Sequence, residues 1–268
     1  MLTLNPAQQA AVRHIETPLL VLAGAGSGKT RVITEKIQWL IKQNQCSADQ
    51  IAAITFTNKA AKEMRERLGS GGGEVLVSTF HSLGWQIVKQ DPFAIGRRRG
   101  LSILDQHSAF DLIRELLPTN SPNELIWAVQ SGISRYKDSG LSVEEALGSS
   151  NDEASHQSAS IYQKYNERLS ALNAVDFDDL IALPLTLLKD PAIQDFWQKK
   201  IQYLLVDEYQ DTSQSQYQLM QALVGGRPIL TAVGDDDQSI YGWRGARPDN
   251  LLHLSRDYPN LKVIKLEQ

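Results

Sequence analysis

Two hydrophobic periods take turns along the chain. Residues 19–22 (LLVL) are short and wholly apolar, the form of a strand buried on both faces. Residues 29–42 then place apolar side chains at Val32, Ile33, Ile37, Leu40 and Ile41, one stripe of a helix. The pair repeats: IAAITF (51–56) predicts a second strand and residues 58–68 a second helix. SGGG (70–73) breaks the chain, and VLVSTF (75–80) predicts a third strand. Strand and helix in alternation predict a parallel sheet covered on both faces.

The rhythm changes near Gly84. From there to about Lys200 the strand pattern is almost absent, and helices are predicted at 108–117, 122–136, 158–172 and 177–188. The polar tract GSSNDEASHQSAS (148–160) reads as a mobile loop. Strands return with YLLVDE (203–208), PILTAVGD (228–235) and LKVIKLE (261–267). The economical reading is an α/β domain interrupted by a helical insertion. No internal repeat is visible.

Composition narrows the class. The 268 residues exceed what one hydrophobic core usually supports, roughly 250. With 42% hydrophobic and 22% charged residues, the chain reads as a soluble globular protein. A single cysteine, Cys46, excludes an internal disulfide framework and suits a reducing cytosol. No apolar run is long enough to span a bilayer, and the N-terminus lacks the basic and apolar regions of a secretory signal. The net charge of −4 hides an asymmetry: residues 1–99 carry 13 Lys/Arg against 7 Asp/Glu, and the remainder 14 against 24. Phosphate binding is therefore expected in the first third.

The chemistry is spelled in two places. A phosphate tail needs several backbone N–H groups converging on it and the positive end of a helix, with no side chains in the way. LLVLAGAGSGKTRV (19–32) offers this: an apolar strand, the small residues Ala23, Gly24, Ala25, Gly26, Ser27 and Gly28, then Lys29 for the β/γ-phosphates and Thr30 for Mg²⁺ at the head of a helix. The P-loop pattern usually opens with Gly where this chain has Ala23. Hydrolysis further needs a carboxylate for the metal and a group that positions water. YLLVDEYQDT (203–212) ends a strand on Asp207, expected to hold the metal, and Glu208, expected to orient and deprotonate the attacking water. The loop and the acidic pair are expected to meet at neighbouring strand ends around one magnesium triphosphate.

The segments LNPAQQAAV (4–12), AGAGSGKTR (23–31), ITFTNKAAKEM (54–64), VSTFHSLG (77–84), DFDDL (176–180), VDEYQDT (206–212) and VGDDDQSIYGWRGARPDNL (233–251) together resemble the N-terminal part of the superfamily-1 DNA helicases of the UvrD/PcrA/Rep group. RGARPDNL and KVIKLEQ tilt the resemblance toward the Rep branch of that group. The resemblance implies a RecA-like P-loop NTPase domain, 1A, built from residues 1–84 and 201–268. It implies an all-helical inserted domain, 1B, over 85–200, and a second RecA-like domain outside these residues. It implies that Gln8 reads the adenine edge, that Arg31 lies beside base or ribose, and that Gln238 senses the γ-phosphate. A single-strand track is implied for Phe56, Thr57, Asn58, Thr79, Phe80, His81, Phe177, Tyr241, Trp243 and Arg244. Aromatic faces there would stack bases of any sequence.

By the same resemblance the expected activity is ATP- and Mg²⁺-dependent 3′→5′ translocation on single-stranded DNA, with unwinding at single-strand/duplex junctions. The setting is the bacterial cytoplasm, and replication or repair proteins are possible partners. Residues following KLEQ in the family carry an arginine that reaches the γ-phosphate, so the 268 residues alone are expected to bind ATP weakly and hydrolyse it slowly. Other readings stay open on sequence chemistry: a non-catalytic nucleotide- or single-strand-binding module, another P-loop NTPase such as a transporter motor, or an RNA helicase of the same superfamily, since stacking does not separate DNA from RNA.

Overall fold

The computed structural model describes residues 4–24, 26–149, 153–235 and 250–266. In chain order, helix α1 (Pro6–Arg13) leads into β1 (Leu19–Ala23), α2 (Lys29–Lys42), β2 (Ile51–Thr55), α3 (Asn58–Leu68), β3 (Leu76–Thr79) and α4 (Phe80–Gln90). There follow β4 (Ser102–Ile103), α5 (Gln106–Leu116), α6 (Asn123–Asp138), α7 (Val143–Gly148), α8 (Glu153–Ala171), β5 (Ala174–Val175) and α9 (Asp179–Leu187). The chain closes with α10 (Pro191–Lys200), β6 (Tyr203–Val206), α11 (Gln214–Val224), β7 (Leu230–Gly234), α12 (Asn250–Asp257) and β8 (Lys262–Leu266). It divides into two compact units, residues 1–80 with 191–268, and residues 81–190.

The first unit is built on a parallel sheet with strand order β3-β2-β6-β7-β1-β8. Its central strands read as continuous apolar runs because both faces are covered: every residue of β2, β6 and β7 is buried. At one edge, β8 is exposed at Lys262, Val263 and Lys265 and buried only at Leu266, which suits a strand with one free side. The register aligns Val206 with Ala232 and Ala232 with Leu20, so the carboxyl ends of β6, β7 and β1 lie within three residues of one another along the sheet. Open α/β sheets bind ligands at such carboxyl ends. Buried Lys36 joins α2 to α1: its ammonium donates to the carbonyls of Ala11, at 2.9 Å, and His14, where the α1 dipole is negative.

The second unit is helical, with its own core from Ala109, Phe110, Ile113, Ile126, Val129, Ile133, Tyr165 and Leu169. A two-residue parallel pairing of β4 with β5, Ser102 opposite Ala174 and Ile103 opposite Val175, breaks the helical pattern. Two further features depart from the sequence reading. The tract expected as a loop at 148–160 is helical from Glu153 onward, because its small residues Ser158 and Ala159 are buried and form a helix face that a hydropathy pattern reads as polar. Gly132 on α6 faces Ser158 so closely that a Cβ there would lie 2.5 Å from the Ser158 hydroxyl. Helix α4, absent from the sequence reading, carries a glycine with the same purpose: a Cβ on Gly84 would fall 1.7 Å from the Leu180 carbonyl oxygen of α9.

Candidate nucleotide site and nucleic-acid track

The loop after β1 is turned by glycine. Gly26 and Gly28 have φ of +78° and +89°, a region L-residues rarely adopt, and Gly28 is the N-cap of α2. The Ser27 hydroxyl and N–H both donate to the Gly24 carbonyl, at 2.6 and 3.2 Å, which closes the turn upon itself. Around Gly24 and Gly26 a Cβ would meet nothing within 4 Å, so space for a ligand lies before the helix N-terminus. Ala23 ends β1 in buried, extended backbone, so the alanine in the place of the usual glycine costs no strain. Ala25 lies outside the described residues.

Gln8 closes the loop from the other side. Its amide nitrogen donates to the Ser27 carbonyl at 3.0 Å. Its amide oxygen accepts the Asn5 N–H at 3.0 Å, and Asn5 in turn accepts the Gln8 N–H at 2.8 Å, a reciprocal helix cap that fixes the side chain. Expected on the adenine edge, Gln8 is in this structure engaged with the loop. Thr30 and Arg31 are the second and third residues of α2, both half-buried.

Lys29 meets carboxylates from two other strand ends. Its ammonium is 3.3 Å from Glu208 Oε2 and 3.4 Å from Asp235 Oδ2. The sequence reading put the loop and the Asp207–Glu208 pair on neighbouring strands. They are not adjacent: β7 lies between β1 and β6, and it ends on Asp235, which is buried. The VGD of β7 repeats the spelling of VDE, an apolar strand ending on Asp, and that repetition is the signal in the sequence for Asp235. Glu208 is turned away from its strand by a left-handed backbone, φ +50° and ψ +46°, unusual for a glutamate and costing about 1 kcal/mol or more. A second unforeseen residue fixes it: buried Gln210 donates to Glu208 Oε2 at 2.7 Å and accepts the Asp235 N–H at 3.0 Å, linking the two strand ends.

Asp207 continues β6, its N–H donating to the Ile54 carbonyl at 2.8 Å. Burial, with the Glu208 charge beside it, pushes the Asp207 carboxyl up to about 6. A carboxylate held in that condition gains strongly from a nearby cation.

The track residues divide. Phe56 is 42% exposed where β2 ends, with exposed Thr57 and Asn58 behind it; Thr57 caps α3 by accepting the Ala60 N–H. Thr79 and Phe80 are buried, Phe80 to 6% exposure, and do not present the surface expected of them: a strand covered on both faces runs directly into α4, and the ring turns inward. In the second unit, His81 and Phe177 stack with ring centroids 3.9 Å apart at 20°. Phe177 is 55% exposed, so the pair offers one free aromatic face. Gln238, Tyr241, Trp243 and Arg244 lie outside the described residues.

The family described as the UvrD/REP helicase N-terminal domain matches residues 4–259. The chain is 50% identical over 273 residues to ATP-dependent DNA helicase Rep of Escherichia coli strain K12, covering 99% of this chain and 41% of the relative. It is 48% identical to the Rep helicase of Salmonella typhimurium and 41% identical to ATP-dependent DNA helicase PcrA of Bacillus subtilis strain 168, spanning 40% and 37% of their lengths. The glycine-turned loop, the strand-end carboxylates and this match over nearly every residue agree: the chain belongs to the UvrD/REP helicase N-terminal domain family.

Proposed function

We propose that this chain is the ATP-binding motor part of a 3′→5′ DNA helicase that moves along single-stranded DNA and opens duplex at single-strand junctions. The observation that carries the reading is the convergence of Lys29, Glu208 and Asp235 at the carboxyl ends of β1, β6 and β7, beside a loop open to a phosphate tail. Phosphates would lie over the N-terminus of α2. Lys29 would exchange its carboxylate partners for the β/γ-phosphates, and Glu208, held by Gln210, would orient the attacking water and take its proton. The Thr30 hydroxyl and Asp207 are hard oxygen donors that fit Mg²⁺, with its remaining positions left to phosphate and water. When bound, the ion neutralises phosphate charge. Gln8 and Arg31 would attend the base and ribose, and Gln238 the γ-phosphate.

In the same reading the first unit is domain 1A and the second is domain 1B. Phe56, Thr57 and Asn58 in the first unit, and the His81–Phe177 stack in the second, would each contact single-stranded DNA. The protein would work in the bacterial cytoplasm with replication or repair proteins. Among the described residues no helix is long and apolar enough to cross a membrane.

Binding of a fluorescent ATP analogue with Mg²⁺ to the chain tests the nucleotide site. Lys29→Ala should weaken it at least 10-fold while the thermal melting curve stays cooperative. Equal affinity in the variant would refute the reading.

A further inference from the structure

The motif around Phe177 contains more charge than its exposed ring needs. Asp176 and Asp179, on either side of Phe177 and Asp178, are both buried. Each caps the other: Asp176 Oδ1 accepts the Asp179 N–H at 2.9 Å, and Asp179 Oδ2 accepts the Asp176 N–H at 3.1 Å. Their remaining oxygens converge on one cation from α6. Lys137, buried to 3% exposure, is 2.7 Å from Asp176 Oδ2 and 2.7 Å from Asp179 Oδ1. The Tyr165 hydroxyl of α8 donates to Asp176 Oδ2 at 2.9 Å. Burial alone would pull the lysine down, but the two carboxylates outweigh it and hold Lys137 protonated. Helices α6 and α8 are thereby tied to the four-residue turn that opens α9, and the outward ring of that turn is Phe177.

A buried lysine between two buried carboxylates is an expensive arrangement if stability is its only purpose, since apolar packing of equal volume serves as well. What it supplies is geometry: the turn cannot rotate without stranding a charge. The ring so held stacks on His81, which α4 presents from its first turn.

We infer that Lys137, acting through Asp176 and Asp179, is a positioning residue that fixes Phe177 against His81 as a rigid stacking platform for one unpaired base of single-stranded DNA. This rests on the nucleic-acid track proposed above. Lys137 itself touches no nucleic acid, because it is buried among Asp176, Asp179 and the Tyr165 ring, 5.3 Å from its ammonium. Base stacking on a fixed ring tolerates any sequence, and a ring free to rotate pays ordering entropy on each encounter.

The test is a double-mutant cycle read by equilibrium binding of a fluorescently labelled single-stranded oligothymidylate to the 268-residue chain. Phe177→Ala should weaken binding about 10-fold, the loss of one stacked base. Lys137→Met should weaken it about fivefold or more, and the double variant should bind within twofold of Phe177→Ala alone, because Lys137 acts only through that ring. Lys137→Met leaves two buried carboxylates without a cation and can fail to fold. Asp179→Ala opens the same turn while leaving the neutral Lys137–Asp176 pair, and a cycle of Asp179→Ala with Phe177→Ala then decides. Folded Lys137 or Asp179 variants that bind as tightly as the parent overturn the inference, as does a loss that simply multiplies with that of Phe177→Ala, the mark of a merely structural role. No binding by the parent chain, or none lost in Phe177→Ala, overturns instead the track on which the inference rests.

Discussion

The His81 ring lies between protein and a half-exposed phenylalanine, and burial pulls its imidazole down to about 4. An unfolded histidine takes its proton near pH 6.5. Between those two values the unfolded chain binds a proton that the native chain refuses, so native stability falls as the pH drops from 7 toward 4. The penalty is complete once both states are protonated. Urea unfolding at pH 7.5 and 4.5 should show the parent losing on the order of 2 kcal/mol more than His81→Gln over that interval. An identical loss in both proteins would mean that the imidazole is as free as in water. At neutral pH the ring is uncharged, so its contribution to the proposed platform is its flat face and not a cation. Glu208 offers a parallel at the candidate nucleotide site: a residue whose spelling announces a carboxylate, but whose direction is set by a left-handed backbone and by Gln210.

At the scale of elements, close approach depends on residues that hydropathy ignores. Helices α4 and α9 can touch because Gly84 has no Cβ to meet the Leu180 carbonyl, and α6 meets α8 at Gly132 and Ser158 for the same reason. In Gly84→Ala the new methyl would fall on backbone, which cannot yield as a flexible side chain would. The variant should lose about 3 kcal/mol of stability or more, read as a lowered urea midpoint. Because α4 and α9 carry His81 and the turn of Phe177, the variant should also weaken oligothymidylate binding under conditions where it remains folded. An unchanged midpoint would show that the helices separate without cost. Much of this scale was legible in advance. Residues 29–42 and 58–68 form helices with the bounds that their apolar stripes give. The central strands follow their apolar runs to within a residue or two at either end. The start of α8 is hard to see because its buried face includes Ser158 and Ala159, which score as loop, whereas α4 has an apolar stripe at Phe80, Leu83, Ile87 and Val88 that merges with the strand-like run at 75–80.

At the scale of the whole molecule, the second unit is one continuous stretch, residues 81–190, and the first is made of two stretches that meet in one sheet. The continuous stretch contains a complete apolar core and the buried Lys137 cluster. Expressed as residues 81–190, it should fold alone and lose its helical circular dichroism in one cooperative thermal transition. A broad, non-cooperative melt would show that its core depends on the rest of the chain. Residues 1–80 should not fold by themselves, because β1 and β2 are separated in the sheet by β6 and β7, which arrive only after residue 200.

The linear order of residues determined what depends on neighbours in sequence: which segments are strands and which helices, where glycine lets the chain turn with positive φ ahead of α2, and which strand ends carry acids. These follow from periodicity and local backbone freedom, both written in contiguous residues. Tertiary structure alone decided which charges meet. Lys29 finds Asp235, 206 residues away, because β7 and not β6 lies beside β1. Lys137, which spelling gives no reason to notice, finds Asp176 and Asp179 because helix packing brings its buried ammonium against both carboxylates. Pairing of buried charge is set by strand order and helix contact, and neither is encoded within a single segment.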